Sequence, residues 1–452
     1  MQHERPSHQG PSRAGRPGRP VGIVLISLFA LSTILNCATT DSHRQYLDAA
    51  ALPLDPTVDE TVRPVAAHLS QSRVVLVGEE HGVVANQEIE AALFEELVRN
   101  HGVSVYLAES AYSFAAFVQH YIETGDRDLL DQLTARLEGT NAGVVEHREF
   151  FLGLHELYQE LPPEKRFRYV GIDIEHMDAV AVSYLRWKLR QAQEHLAGSA
   201  GGSGARGDSS ERAASPSNLA ALHARLEALL SDASFDRRGV RGVAEVLRAE
   251  IVRAGDAFPA LFPGDASGIR IVLDNIIAKH ERDAAGSPTE RKQRRDAAIH
   301  RTFRRVDAML GSSGAGTADP ARIDPAPRYF GQWGAAHAFQ RPLEGIDWFA
   351  SRLVADGTSV SSTLLIYMDC RVLERKPYRE ETLNTWGRLD VSRRVLRRLG
   401  PTPLFIPIRG GASPYHETPF RSGGRSSEYS LAELVDNVIL IRGSGANTPY
   451  RP

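Results

Sequence analysis

Short apolar runs alternate with helical stretches along this 452-residue chain, and this alternation constrains its fold more than any other feature. The runs at 73–77, 103–108 and 167–172 have the length of buried strands. Between the first two, Ile89, Ala92, Leu93 and Leu97 recur at the spacing of one buried helix face. Strands and helices in alternation predict an α/β fold, with a mostly parallel sheet and crossover helices on both faces.

The second half of the chain adds further strands and a helical insertion. Apolar runs at 328–330, 363–368, 404–408 and 438–442 bring the predicted strands to roughly seven. Between them, 219–310 is rich in Ala, Leu and Arg at helical spacing, which predicts a helical insertion. The Gly, Ser and Pro content of 196–218 and 311–327 predicts flexible loops. We therefore predict a single α/β domain over 57–452.

The N-terminus has the order of a bacterial lipoprotein signal. Arginines precede a 15-residue apolar run, Val21–Leu35, which is followed closely by Cys37. That run is shorter than the roughly 20 residues that a membrane-spanning helix needs. The pattern predicts a signal peptide over 1–36, lipid attachment at Cys37 and a polar tether over 37–56. The expected location is the cell envelope, as a lipid-anchored membrane protein, or the periplasm if the chain is exported without the anchor.

Composition excludes several classes of function. Lys and Arg number 53 against 56 Asp and Glu, and the net charge of -3 provides no electrostatic case for binding nucleic acid. Cys37 and Cys370 are the only cysteines in the sequence, which excludes a disulfide framework and a multi-cysteine zinc site. The expected partners are a small-molecule substrate and, through the lipid anchor, a membrane.

Ionisable residues follow the ends of four predicted strands. They are Glu79, Glu80 and His81 after the first run, Glu109 after the second, Asp173 after the third and His337 after the fourth. In a parallel sheet the carboxyl ends of the strands meet at one edge, where ligands bind. We therefore expect these side chains to surround one cleft.

Two kinds of chemistry fit this set of residues. His81 is the best candidate for a general base, because imidazole titrates near neutrality and a carboxylate from Glu79 or Glu109 could orient it. The same Glu79, His81 and Glu109, with His337, would also form a reasonable ligand set for a divalent metal ion. The order of residues along the chain does not decide between the two.

The motifs resemble those of the erythromycin esterase family and its relatives, the ChaN-like haem-uptake lipoproteins and the TraB/Tiki proteins. The resemblance rests on Val74–Gly82, Leu107–Ser110 and Tyr169–Asp173, followed downstream by Arg295–His300, Gly334–His337 and Val435–Ile441. It implies that Glu79, His81 and Glu109 form a catalytic centre, in which the histidine activates water to attack an ester or lactone without a required cofactor. It also implies that Arg295 stabilises developing negative charge, with His337 as a second polar group. Further candidates for binding or support are Glu80, Asp173, Trp333 and Asp296.

The departures from the esterase pattern leave two alternatives open. Only Glu80 separates Glu79 from His81, a spacing closer to that of the haem-uptake lipoproteins, and this argues against a macrolide as the natural substrate. The first alternative is a haem- or iron-binding lipoprotein, with Tyr329, Trp333 and His337 forming the wall of the haem cleft. The second is a metal-dependent peptidase of the Tiki kind.

Overall fold

The computed structural model of the protein describes residues 42–200, 215–312, 326–374, 378–422 and 425–451. The predicted signal peptide and Cys37 lie outside these ranges, as does most of the two predicted flexible loops. The predicted tether is described from residue 42 onward, and there the prediction is wrong. Residues 42–50 are helical and are followed by a short strand, because Leu47 is buried in the core and Leu52 pairs with Phe405.

The described strands and helices follow one another along most of the chain. The strands are β1 (Leu52–Pro53), β2 (Val74–Glu79), β3 (Val105–Ala111), β4 (Arg168–Asp173), β5 (Tyr329–Gly334), β6 (Val360–Met368), β7 (Cys370–Glu374), β8 (Arg379–Leu383), β9 (Leu404–Pro407), β10 (Pro419–Ser422), β11 (Arg425–Ser430) and β12 (Asn437–Arg442). The helices are α1 (42–50), α2 (Asp59–Leu69), α3 (Val84–His101), α4 (Tyr112–Thr124), α5 (Arg127–Arg136), α6 (Val145–Glu160), α7 (Asp178–Ala200), α8 (Pro216–Leu229), α9 (Asp232–Ala254), α10 (Ala257–Leu261), α11 (Ala266–Asp283), α12 (Pro288–Ser312), α13 (Phe349–Ala355), α14 (Arg393–Arg398) and α15 (Leu431–Leu434).

Eight strands form the main sheet, in the order β1-β9-β12-β6-β2-β5-β3-β4. The six strands from β12 to β4 run parallel, while β9 and β1 pair antiparallel at one edge. The seven predicted strands all belong to this sheet, which confirms the predicted α/β class. The strands β3, β4 and β5 lie on one side of β2, and β6, β9 and β12 lie on the other. The order of strands therefore reverses at β2, and ligand clefts form at such a point in open α/β sheets.

Helices cover both faces of the sheet. Val75 and Val77 of β2 pack on one face in a cluster with α2, α3, α4 and α6, while Val74 and Leu76 pack on the other with α12 and α13. Successive strand residues point to opposite faces, so a strand covered on both sides reads as a continuous apolar run. This is why the sequence shows unbroken runs at the central strands.

The region predicted as a helical insertion is helical but divides into two parts. Helices α8 to α11 pack with α7 in a cluster of their own. Helix α12 instead places Ile299 and Phe303 against the sheet. The predicted insertion, 219–310, therefore extends too far toward the C-terminus, because α12 is a crossover helix of the main domain. Among the described residues, no helix has the length and apolar content needed to cross a membrane.

Candidate active site

The carboxyl ends of four neighbouring strands bring most of the predicted site residues together. Glu79 ends β2 and pairs in register with Gly334 at the end of β5, from which a single helical turn carries His337. Glu109 and Asp173 lie at the carboxyl ends of β3 and β4. Residues from widely separated parts of the sequence therefore share one edge of the sheet.

Glu79 and His81 form a hydrogen-bonded pair. His81 Nδ1 lies 2.6 Å from Glu79 Oε1, and the other carboxylate oxygen of Glu79 accepts a 2.7 Å bond from Gln332 Nε2. Gln332 also donates to the carbonyl oxygen of Asn86 at 3.0 Å. Glu79 is buried, whereas the His81 side chain is 36% exposed. The buried carboxylate therefore fixes the orientation of an imidazole that remains accessible.

Gly334 separates His81 from Glu109. Its backbone N–H donates to Glu109 Oε2 at 2.7 Å. A Cβ atom built on Gly334 would lie 3.4 Å from His81 Nε2 and 3.6 Å from Glu109 Oε2. Because Gly334 has no side chain, a space the size of a methyl group or a water molecule remains there. The His81 imidazole and the Glu109 carboxylate line this space.

Arg295 of α12 joins the carboxylates of β3 and β4. Its Nη2 donates to Glu109 Oε1 at 2.7 Å and to Asp173 Oδ2 at 2.5 Å, and its Nε donates to both oxygens of Asp173 at 3.1 Å. Asp173 is fully buried. The planar guanidinium group therefore ties the two carboxylates together through charged hydrogen bonds.

His337 contacts a second carboxylate behind the same cleft. Its Nδ1 donates to Asp296 Oδ1 at 2.9 Å, and its Nε2 lies 3.4 Å from Glu109 Oε1. Asp296 is fully buried and also accepts the backbone N–H of Phe349. The Glu79–His81 pair and the Asp296–His337 pair therefore lie on either side of Glu109.

The carboxylates control the protonation of both imidazoles. Burial alone would lower the pKa of His81, but the hydrogen bond and charge of Glu79, with Glu109, raise that pKa to about 9. Burial likewise opposes a rise in the pKa of His337, yet Asp296 and Glu109 raise it to about 10. At pH 7 a group of pKa 9 is neutral in roughly 1% of molecules. Both imidazoles are therefore mainly cationic near neutrality.

Two carboxylates of the cluster stay ionised because cations surround them. Burial would raise the pKa of Glu109, but His337, Arg295 and His81 hold it below its usual range. Burial would also raise the pKa of Asp173, and Arg295 and His176 hold it well below its usual range. The site is thus a compact network of alternating charges.

Two of the predicted residues have supporting contacts and do not line the space beside Gly334. The Glu80 side chain contacts Arg388, with Oε1 at 3.3 Å from Nη2, and is not part of the Glu79–His81 pair. Trp333 is only 1% exposed; its indole N–H donates to the carbonyl oxygen of Leu107 and its ring stacks on Phe349. Trp333 therefore supports the floor of the site and is not placed to contact a ligand.

Three further residues of the site were not predicted from the sequence. Gln332 donates to Glu79, and Arg388 donates to Glu80. His176 Nε2 contacts Asp173 Oδ2 at 2.7 Å. His176 follows the third strand by only three residues, so its position near a strand end was a usable signal. Gln332 follows the predicted strand 328–330 by two residues, which was a similar signal, whereas the sequence has no comparable signal at Arg388.

The residues present do not fit a metal site. Within the described ranges, no three His, Cys, Asp or Glu side chains are arranged to hold a metal ion. Glu79 and Glu109, two of the predicted ligands, direct their oxygens at His81, Gln332, Arg295 and the Gly334 N–H. The arrangement is suited to moving protons and stabilising negative charge.

Solved structures with the same fold include an erythromycin esterase. A mutant of the esterase EreC in its open conformation has a TM-score of 0.52 at 13% identity, over 84% of this chain and 93% of that chain. A Bacillus cereus protein has a TM-score of 0.65 at 12% identity, and a succinoglycan biosynthesis protein has 0.63 at 11%, each over 91% of this chain and 99% of the other. No family model and no curated protein matches the chain. At such low identity these likenesses show a shared fold alone.

Proposed function

We propose that this protein is a hydrolase of the erythromycin esterase-like superfamily, which cleaves an ester or lactone with water activated by His81. The observation that carries the proposal is the 2.6 Å Glu79–His81 pair, in which the Nε2 of His81 faces the space beside Gly334 and Glu109. A base must lie within hydrogen-bond reach of the proton that it removes, and a water in that space meets this condition. The esterase fold and the shared order of motifs add support.

The proposed reaction uses the neutral form of His81. The imidazole takes a proton from water as the oxygen attacks the carbonyl carbon, while Glu109 orients the water. Arg295 and His337 stabilise the tetrahedral oxyanion, because fixed cationic donors favour charge that develops in the transition state. When the intermediate collapses, the leaving alkoxide takes the proton from His81, which gives a carboxylic acid and an alcohol and restores the base.

Hydrolysis of 4-nitrophenyl esters and of simple lactones tests this proposal. We expect His81→Ala to lower kcat/KM by at least a hundredfold, which is the scale of general-base catalysis. His300→Asn is the matched control, because His300 also pairs with a carboxylate, Asp356 at 2.7 Å, but lies outside the site. Equal activity of the wild type and His81→Ala would overturn the proposed role of His81. Hydrolysis of a macrolide panel would show whether macrolides are substrates.

The proposed location is the cell envelope, with a lipid on Cys37. The arginines, the apolar run and the cysteine of the N-terminal segment carry this proposal. Metabolic labelling with a palmitate analogue should mark the wild type and not Cys37→Ser. A labelled Cys37→Ser variant would contradict it.

The haem-binding and metal-dependent alternatives stay predictions with less support. Tyr329 and Trp333, two of the residues expected to line the haem cleft, belong to β5 and are buried in the core. A haemin titration that shifts the Soret band would favour the first alternative. Activity lost on chelation and regained with one divalent metal would favour the second.

A further inference from the structure

A second arginine lies beside the candidate active site, on the opposite side from Arg295. Arg388 belongs to the short helical turn Trp386–Leu389, next to the end of β6. The residue before this turn is tied to that strand, because the Thr385 N–H donates to the Tyr367 carbonyl and Thr385 Oγ1 accepts the Tyr367 N–H. The Tyr367 hydroxyl in turn accepts the N–H of Glu80. Arg388 is therefore anchored next to the Glu79–His81 motif.

The Arg388 guanidinium has fewer partners than its burial calls for. Its side chain is only 15% exposed, and it contacts Glu80 Oε1 at 3.3 Å and the face of Phe420 at 5.4 Å. Its Nη1 is buried and has no hydrogen-bond partner among the described residues. A guanidinium carries five donors, and leaving buried donors unpaired is costly. Arg295, in contrast, directs its Nε and Nη2 at two carboxylates.

The position of Arg388 suits a group attached to the substrate. β6 is the immediate neighbour of β2, and adjacent strands lie about 4.8 Å apart. Because Glu80 lies between Glu79 and His81 in the sequence, the guanidinium that contacts its carboxylate lies beside the Glu79–His81 motif. The carboxylate of Glu80 is 40% exposed, so it can turn into solvent when a substrate carboxylate takes its place beside the guanidinium.

We propose that Arg388 and Glu80 form a subsite for a carboxylate carried by the substrate. This inference rests on the proposed hydrolase function and names its substrate class: acyl esters or lactones that carry a carboxylate. The carboxylate accepts paired hydrogen bonds from the guanidinium, as arginine favours. Glu80 occupies the subsite in the free enzyme and is displaced when substrate binds.

Two matched esters and four variants test the subsite. The probes are mono(4-nitrophenyl) glutarate, which carries the carboxylate, and 4-nitrophenyl butyrate, which does not. We expect Arg388→Gln to raise the ratio of KM for the glutarate ester to KM for the butyrate ester about tenfold or more, because only the glutarate ester carries the carboxylate that the guanidinium binds. Arg388→Lys should retain part of the preference. Arg99→Gln is the control, because Arg99 pairs with Glu95 near the far end of α3.

The variant Glu80→Gln distinguishes a substrate-binding subsite from an ion pair that only stabilises the fold. Removing the competing carboxylate should lower KM for the glutarate ester, the opposite sign to Arg388→Gln. If the pair only supports the fold, both variants should weaken hydrolysis of both esters alike, and that result would overturn the proposal. A thermal melt of each variant identifies any loss that comes from unfolding.

A binding measurement keeps this inference distinct from the proposed function. Calorimetric titration of the intact protein with glutarate should show binding to the wild type, tighter binding to Glu80→Gln and none to Arg388→Gln. Ester hydrolysis without any glutarate binding or preference would leave the hydrolase proposal standing and remove the subsite. Glutarate binding without hydrolysis of either ester would retain the subsite and remove the hydrolase proposal.

Discussion

Glu79 and His81 are joined by a 2.6 Å hydrogen bond although Glu80 stands between them in the sequence. β2 ends at Glu79, and the chain bends at His81, so the imidazole returns to the Glu79 carboxylate. Glu80 points toward Arg388, and Glu79 and His81 meet over the end of β5. The Glu-x-His spacing is therefore sufficient to build a pair at a strand end.

The first prediction concerns the pH dependence of hydrolysis. The pKa of His81 is raised to about 9, so the neutral base becomes more abundant as pH rises. We expect kcat/KM to increase between pH 6 and 9 and then level off. Glu79→Gln removes the carboxylate that raises the pKa, so its profile should level off at a lower pH. Measuring kcat/KM from pH 5.5 to 10 for both proteins checks this, and a flat wild-type profile would contradict a base of pKa near 9.

The strand ends could be predicted from the sequence, but the contacts between distant side chains could not. Unbroken apolar runs marked β2, β3 and β4 because both faces of the sheet are covered. Glu80 was grouped with Glu79 by its place in the chain, although its side chain turns toward Arg388, a residue 308 positions away. No local pattern encodes such a pairing, because it depends on how the turn after β8 packs beside β6.

Helix α12 shows the same limit at the level of the fold. Its apolar positions predicted a helix, and the structure has one there. A helical pattern specifies which face is buried but not which partner buries it. The resemblance predicted Arg295 and Asp296 as site residues, and the structure shows how they reach the site, because α12 packs on the sheet.

The second prediction concerns stability and the buried His337–Asp296 pair. Asp296→Asn should lower the free energy of unfolding at pH 6 by about 3 kcal/mol, the scale for breaking a buried ion pair. The folded-state pKa of His337 is about 10, above its usual value of 6.5, so the stabilisation is complete below about pH 6.5 and is lost as pH rises through about 10. Urea unfolding from pH 6 to 10 should show the wild type and Asp296→Asn converging at high pH. A difference that grows with pH would contradict this.

The third prediction concerns the space beside Gly334. The backbone there, with φ -51° and ψ 135°, is open to any residue, and an added methyl group would meet His81 Nε2 and Glu109 Oε2 at ordinary contact distances. Gly334→Ala should therefore fold normally, with its free energy of unfolding within about 1 kcal/mol of the wild type. The methyl group would occupy the proposed place of the water, so kcat should fall at least tenfold. Unchanged kcat in a folded Gly334→Ala protein would mean that the water lies elsewhere.

The fourth prediction separates the two tasks of Arg295, which holds Glu109 and Asp173 and supplies charge to the oxyanion. Arg295→Met leaves the fully buried Asp173 without its main cationic partner and should lower the free energy of unfolding by about 3 to 5 kcal/mol. Arg295→Lys keeps a cation but cannot bridge two carboxylates with a planar fork, so it should be more stable than Arg295→Met and still lose at least a hundredfold in kcat. Urea unfolding together with ester kinetics for both variants measures the two effects separately. Near-wild-type kcat in Arg295→Lys would show that the positive charge alone suffices, because the geometry of the fork would then have no part in stabilising the transition state.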